Sequence, residues 1–159
     1  MSDTTQTPTE LEASIEIAAE PAAVWKLVSD LPRLAEWSPQ VVRTLVRRPL
    51  TVGSRMLNVN HQGWKVWPTT AKVVALEPHR RVAFRITENR TVWSFELEPT
   101  TVAGVPGTRV VHRRETPQGV SALSNRLVDA VLGGQETFTA DLRAGMRQTL
   151  ARVKAEAER

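Results

Sequence analysis

Cysteine is absent from the 159 residues, which rules out disulfides, thiolate zinc sites and cysteine nucleophiles. Histidine is scarce: His61, His79 and His112 fall on different strands or turns, without the spacing of a metal site. No apolar run approaches the ~20 residues of a membrane span. The opening "MSDTTQTPTE" lacks the basic-then-apolar order of a signal sequence. The expectation is a cytoplasmic protein with no integral membrane association. Also missing are a Ser/His/Asp arrangement, paired carboxylates on an inward face and a phosphate-cradling loop, Gly133-Gly134 reading as a turn or hinge. Neither a metal nor a cofactor is expected. The net charge of +4 invites a nucleic-acid partner, but the basic residues come as dispersed pairs (Arg47/Arg48, Arg80/Arg81, Arg113/Arg114). No helix gathers them into a stripe and no aromatics interleave with them, so nucleic acid is not expected.

The chain is 41% hydrophobic and 24% charged, enough for one buried core. Residues 1–9 are polar and Thr-rich and read as a disordered tail, leaving 10–159 as a single domain. "LEASIEIAAE" alternates Leu11, Ala13, Ile15 and Ile17 against polar residues, the pattern of a half-buried strand. Pro21 then suits the first position of a helix whose Val24, Trp25, Leu27 and Val28 supply a buried stripe. A second short helix, "PRLAEW", is bracketed by Pro32 and Pro39.

From 41 to about 116 the pattern is strand after strand, broken at "RPLTVGS", "HQG", "EPHR", "TEN" and "TTVAGVPG". Such short breaks give antiparallel neighbours. Val82, Phe84 and Ile86 form one apolar face and Trp93, Phe95 and Leu97 another, opposed by Arg85, Ser94, Glu96 and Glu98. "GTRVVHRRET" puts Thr108, Val110, His112 and Arg114 on one face. Beyond "TPQG" the chain turns helical, and Phe138, Leu142, Gly145, Met146, Thr149, Leu150 and Val153 line one side of the last helix. The fold class is therefore α+β: a curved antiparallel sheet of about seven strands around a long C-terminal helix.

The stretch "GWKVWPTTAKVV" tells against a fully packed interior. One face presents Lys65, Trp67, Thr69, Ala71 and Val73, with no charge after Lys65. A packed core would fill that face with Ile, Leu and Val. A large aromatic followed by Thr and Ala leaves room opposite them.

The element order, with "PAAVWKLVSDLPRLAEWSP", "VGSRM", "WPTTAKVVALEPHRRVAF" and "WSFELEP…GTRVVHRRE", resembles the helix-grip proteins of the START-like (SRPBCC) superfamily, in particular its polyketide cyclase/dehydrase-like branch. The resemblance covers residues 10 to 157. It implies a cavity between the sheet and the last helix. Trp67, Thr69 and Ala71 would line it, with Phe84 and Trp93 on neighbouring strands and Trp37 closing one end. Leu142, Gly145 and Met146 would face it from the helix, the glycine enlarging it by missing volume. In "SRMLNVNHQ" the two arguments conflict. Hydrophobicity turns Leu57, Val59 and His61 inward; the resemblance turns Met56, Asn58 and Asn60 inward. The second is adopted.

His112 is the inward histidine of its strand, able to bond a ligand carbonyl or carboxylate or to act as acid or base. Arg114 beside it would line the mouth with its stem while its charge stays wet. Three functions follow from the resemblance: binding of a small hydrophobic ligand, lipid-like or polyketide-like; a cyclase/dehydratase with His112, Asn60 and Arg114 in the chemistry; or protein interaction through the outer face, where Leu57 and Val59 would also serve a homodimer. "VSALSNRLVDAVL" would be a flap over the mouth.

Overall fold

The computed structural model describes residues 11–116 and 135–159, with side chains from residue 139 onward in the second segment. The expected tail, flap helix, glycine hinge and Phe138 side chain lie outside the described residues. Strand β1 (Leu11–Ile17) is followed by helix α1 (Pro21–Val28), a 3-10 turn (Leu31–Arg33) and the single turn of α2 (Leu34–Trp37). Six strands come next: β2 (Val41–Val46), β3 (Arg55–Gln62), β4 (Lys65–Glu77), β5 (Arg81–Ile86), β6 (Val92–Val102) and β7 (Val105–Glu115). Helix α3 (Gln135–Ala157) ends the chain. All strand pairs are antiparallel, in the order β1-β7-β6-β5-β4-β3-β2, so β1 and β2 are the edges.

The core lies between the inner face of this sheet and the three helices. Ile17, Val73, Val82, Phe95 and Val110 from the strands meet Val24 and Val28 of α1, Leu31, and Leu150 and Val153 of α3. Pro21 starts α1 as expected, its missing N–H being one the first turn leaves unbonded anyway. The Arg152 guanidinium donates to the Trp37 carbonyl and ties the end of α2 to α3.

Three local features depart from simple alternation. The expected break at "TTVAGVPG" is only two residues wide: Val102 pairs with Val105 across Ala103 and Gly104, both at positive φ. That turn matches strand twist, so the ladder runs on to its tip. In β4 the pairing with β5 skips Val74, and this bulge sends Ala75 to the outer face opposite Ala83 while Leu76 joins Val82 inside. Pro68 is tolerated in β4 because β5 pairs only from Ala71 onward, so no ladder bond from that side is lost.

The outer face is drier than alternation suggests. Ala83, Ser94 and Val111 point outward yet are buried. Their register neighbours Arg113 and Glu96 belong to an ion-pair ladder: Glu96 reaches Arg113 at 2.6 Å and Arg81 at 3.6 Å, and Arg113 reaches Glu12 at 2.9 Å. The long stems of these residues cover the small ones between them.

Candidate functional site

Asn58 and Asn60 on β3 point to the concave side, as do Trp67 and Thr69 opposite them on β4. Phe84 and Ile86 on β5, Trp93 on β6, and His112 and Arg114 on β7 continue the same surface. Leu142 and Thr149 of α3 close it from the helix side, and Leu34, Ser38, Gln40 and Val41 from α2 and the start of β2. Together they surround a cavity of about 130 Å³.

The β7 residues are its most unusual part. His112 is buried, with its ring stacked flat on Phe95 at 4.1 Å and tilted against Trp93 at 5.8 Å. Its Nδ1 lies 2.8 Å from the Ser94 carbonyl oxygen. A carbonyl only accepts, so Nδ1 carries the proton and Nε2 the lone pair. Burial lowers the imidazole pKa to about 4, with the bond to Ser94 opposing that shift. The ring is therefore neutral at physiological pH. Arg114 is 4% exposed, which corrects the expectation of a wet charge at the mouth. Its guanidinium lies 5.8 Å from the Trp93 ring centre, a π face that attracts a cation. Desolvation lowers its pKa to about 10, so it stays charged.

On β3 the conflict between pattern and resemblance is resolved for the polar residues. Met56 and Asn58 are buried at 2% and 3%, while Leu57 is 39% exposed. Thr44 of β2 hydrogen-bonds the Asn58 side chain at 2.8 Å, and Asn60 donates to Thr69 Oγ1 at 2.9 Å and the Trp67 carbonyl at 3.3 Å. An inward asparagine is tolerated because its cross-strand neighbours hydrogen-bond it, and hydropathy does not register that.

A sequence profile described as "Polyketide cyclase / dehydrase and lipid transport" matches residues 8–158. The chain belongs to this family. No functionally curated protein matches it. Among solved structures, the Zhui aromatase/cyclase from Streptomyces sp. R1128 is 20% identical, with a TM-score of 0.68 over 94% of this chain and 93% of that one. TTHA0849 from Thermus thermophilus is 19% identical, with a TM-score of 0.65 over 92% and 98%. The Aha1 dimer from Colwellia psychrerythraea is 19% identical, with a TM-score of 0.60 over 94% and 96%. At such identities the likeness is one of fold, and the fold is the helix grip.

Within this polyketide cyclase/dehydrase and lipid transport fold, the residues singled out from sequence divide into two groups. Asn58, Asn60, Trp67, Thr69, Phe84, Trp93, His112, Arg114 and Leu142 meet around the cavity. Trp37, Met56, Ala71, Gly145 and Met146 do not. Trp37 is core, its indole under the Arg33 guanidinium at 4.6 Å, and Met56 and Ala71 lie in the same core. Met146 packs with Leu11 and Leu142 in a smaller cluster. Gly145 does not widen the cavity. A Cβ there would stand 3.3 Å from Gln40 Oε1 and 3.5 Å from Pro39 Cγ, so the glycine lets the loop after α2 approach α3.

Sequence reasoning did not single out Leu34, Ser38, Gln40, Val41, Gln62, Ile86, Asn89 or Thr149 as lining residues. Gln62 continues the Met56, Asn58, Asn60 alternation by one more step, and Ile86 that of Val82 and Phe84. Asn89 sits in a break between strands, where periodicity carries no direction. Among the described residues no His, Asp and Glu cluster could hold a metal, and no helix is long and apolar enough to cross a membrane.

Proposed function

We propose that the protein binds a small, flat hydrophobic molecule, lipid-like or aromatic, between the sheet and α3. One observation carries this reading: Trp67, Phe84 and Trp93, on three different strands, and Leu142 on α3 border about 130 Å³ of open space. Protein interiors are normally packed tightly enough to leave few voids larger than water. The space is on the order of the ~150 Å³ cavity that takes up one benzene ring. A wall of aromatics with a few placed polar groups is what a small-molecule site needs. The family description and the aromatase/cyclase neighbour agree with it.

Native mass spectrometry of freshly purified protein, followed by denaturing extraction, tests the reading. A retained apolar molecule lost from Trp67→Ala supports it. An empty protein whose tryptophan fluorescence ignores fatty acids and polycyclic aromatics alike overturns it.

A cyclase/dehydratase acting through His112, Asn60 and Arg114 is the second reading, favoured by their meeting around one cavity. The state of His112 weighs against it. An imidazole held at a pKa of about 4 accepts a hydrogen bond at neutral pH but is a weak base, and proton transfer is most efficient when the pKa lies near the working pH. Turnover of a poly-β-ketone that disappears in His112→Phe would reverse that ranking.

Protein interaction or a homodimer has its own observation: Leu45, Leu57, Trp64 and Val66 are exposed on the outer side of β2 to β4 and the β3–β4 turn, Trp64 at 87%. The Aha1 neighbour is a dimer. Sedimentation velocity on the wild type and Leu57→Lys decides: a dimer lost in the variant favours this use of the face, and a monomer throughout excludes the homodimer.

A further inference from the structure

The polar groups of the cavity wall have a direction. Asn60 commits its amide nitrogen to the Trp67 carbonyl and Thr69 Oγ1. Because a carbonyl has no proton to give, the amide cannot be turned round without setting oxygen against oxygen. Its Oδ1 is the free end. Gln62 commits its amide nitrogen to the Asp141 carboxylate on α3, and its Oε1 is buried with no hydrogen-bond partner among the described residues. His112 commits its Nδ1 proton to the Ser94 carbonyl, which leaves the lone pair on Nε2.

Asn60 and His112 thus have their donors taken by groups that accept, and Gln62 has one amide N–H so taken. Each keeps an acceptor that no described residue meets. Other wall groups act in the opposite sense, among them the Thr69 hydroxyl, which accepts from Asn60 and keeps its own proton to give. Asn89 Oδ1 takes the Thr91 N–H at 3.0 Å and its hydroxyl at 2.7 Å, leaving the Asn89 amide nitrogen to donate, and Arg114 carries only N–H groups. The bond from Thr44 to Asn58 suits either orientation of that amide.

Resting on the ligand-binding reading above, we infer that the pocket selects a flat aromatic molecule by its hydroxyl groups, phenolic or enolic. A hydroxyl toward β3 donates to Asn60 Oδ1 or Gln62 Oε1, and one toward β7 donates to His112 Nε2. A buried acceptor left without a donor is costly. A hydrocarbon leaves these acceptors unmet, and an ether or ketone at the same place sets lone pair against lone pair. The preferred ligand is then a hydroxylated aromatic rather than an unreduced polyketone, a plain hydrocarbon or a saturated acyl chain.

Binding of benzene-1,3-diol, its dimethyl ether and benzene to the full chain, followed by tryptophan fluorescence or calorimetry, tests this. The diol should bind at least about tenfold more tightly than the ether, the fold-change expected from one or more hydrogen bonds to buried acceptors. His112→Phe keeps a ring against Phe95 but removes the lone pair, and Gln62→Met removes the Oε1 acceptor. Each should narrow the ratio between diol and ether. Gln62→Met keeps the test open if His112→Phe fails to fold. Equal binding of diol and ether, or a full ratio in folded variants, overturns the hydroxyl inference alone. Failure of all three compounds to bind overturns the inference together with the ligand-binding reading.

Discussion

His112 is the residue whose environment has the most direct consequence in solution. Its pKa in the folded protein is about 4, below the ~6.5 of an unfolded histidine. Between those values the unfolded chain binds more protons, so this group's contribution to stability is intact above about pH 6.5 and is lost as the pH falls toward 4. At pH 5 the loss should be about 2 kcal/mol relative to neutral pH. Urea unfolding of wild type and His112→Gln at pH 7 and pH 5 checks it: the wild type should weaken more than the variant. The inward direction of His112 was legible from the alternation of "TRVVHRRET". Its proton position was not, because that depends on the β6–β7 register that sets Phe95 opposite His112 and the Ser94 carbonyl within reach. Arg114 shows the same limit: its strand face was readable, whereas its burial over Trp93 depends on a residue 21 positions away in the chain.

Two glycines separate the demands of strand and helix. At Gly107 in β7, an added Cβ would lie 2.7 Å from the Ile17 backbone oxygen and 2.6 Å from Val102 Cγ2. Backbone cannot move aside cheaply, so Gly107→Ala should cost about 1–3 kcal/mol. At Gly145 in α3 the nearest atoms are the end of the Gln40 side chain at 3.3 and 3.4 Å, which can swing away. Relief of the helical glycine should then prevail, and Gly145→Ala should gain up to about 1 kcal/mol. Thermal melts of the two variants should move in opposite directions. From sequence, Gly145 read as missing volume on a cavity wall. The helix face was right, but whether a sheet, a loop or a void stands opposite is a question of docking. β3 makes a related point: its polar inward face contradicts hydropathy because Thr44 and Thr69 on adjacent strands meet its asparagines.

For the molecule as a whole, ligand binding and stability are linked. A ligand that fits the cavity of the native state alone, at a hundred times its Kd, should stabilise the fold by about 2.7 kcal/mol. That raises Tm by roughly 5–10 °C for a chain of this size, and a thermal-shift assay with a hydroxylated aromatic should show it in the wild type and less in Trp67→Ala. What the sequence by itself determined is the architecture: periods of two and 3.6 residues, with proline and glycine at their ends, are local properties, and they prescribed an antiparallel sheet and one long amphipathic helix. The aromatics Trp67, Phe84 and Trp93 were legible as inward for the same reason. Only the tertiary structure decided which inward residues border space and which are packed, so that Trp37 and Met56 became core while Gln62 and Asn89 reached the cavity. It also decided which polar atoms remain open to a ligand. Both depend on distances between segments far apart in the chain, set by sheet curvature and by the seat of α3, and no local pattern encodes those distances.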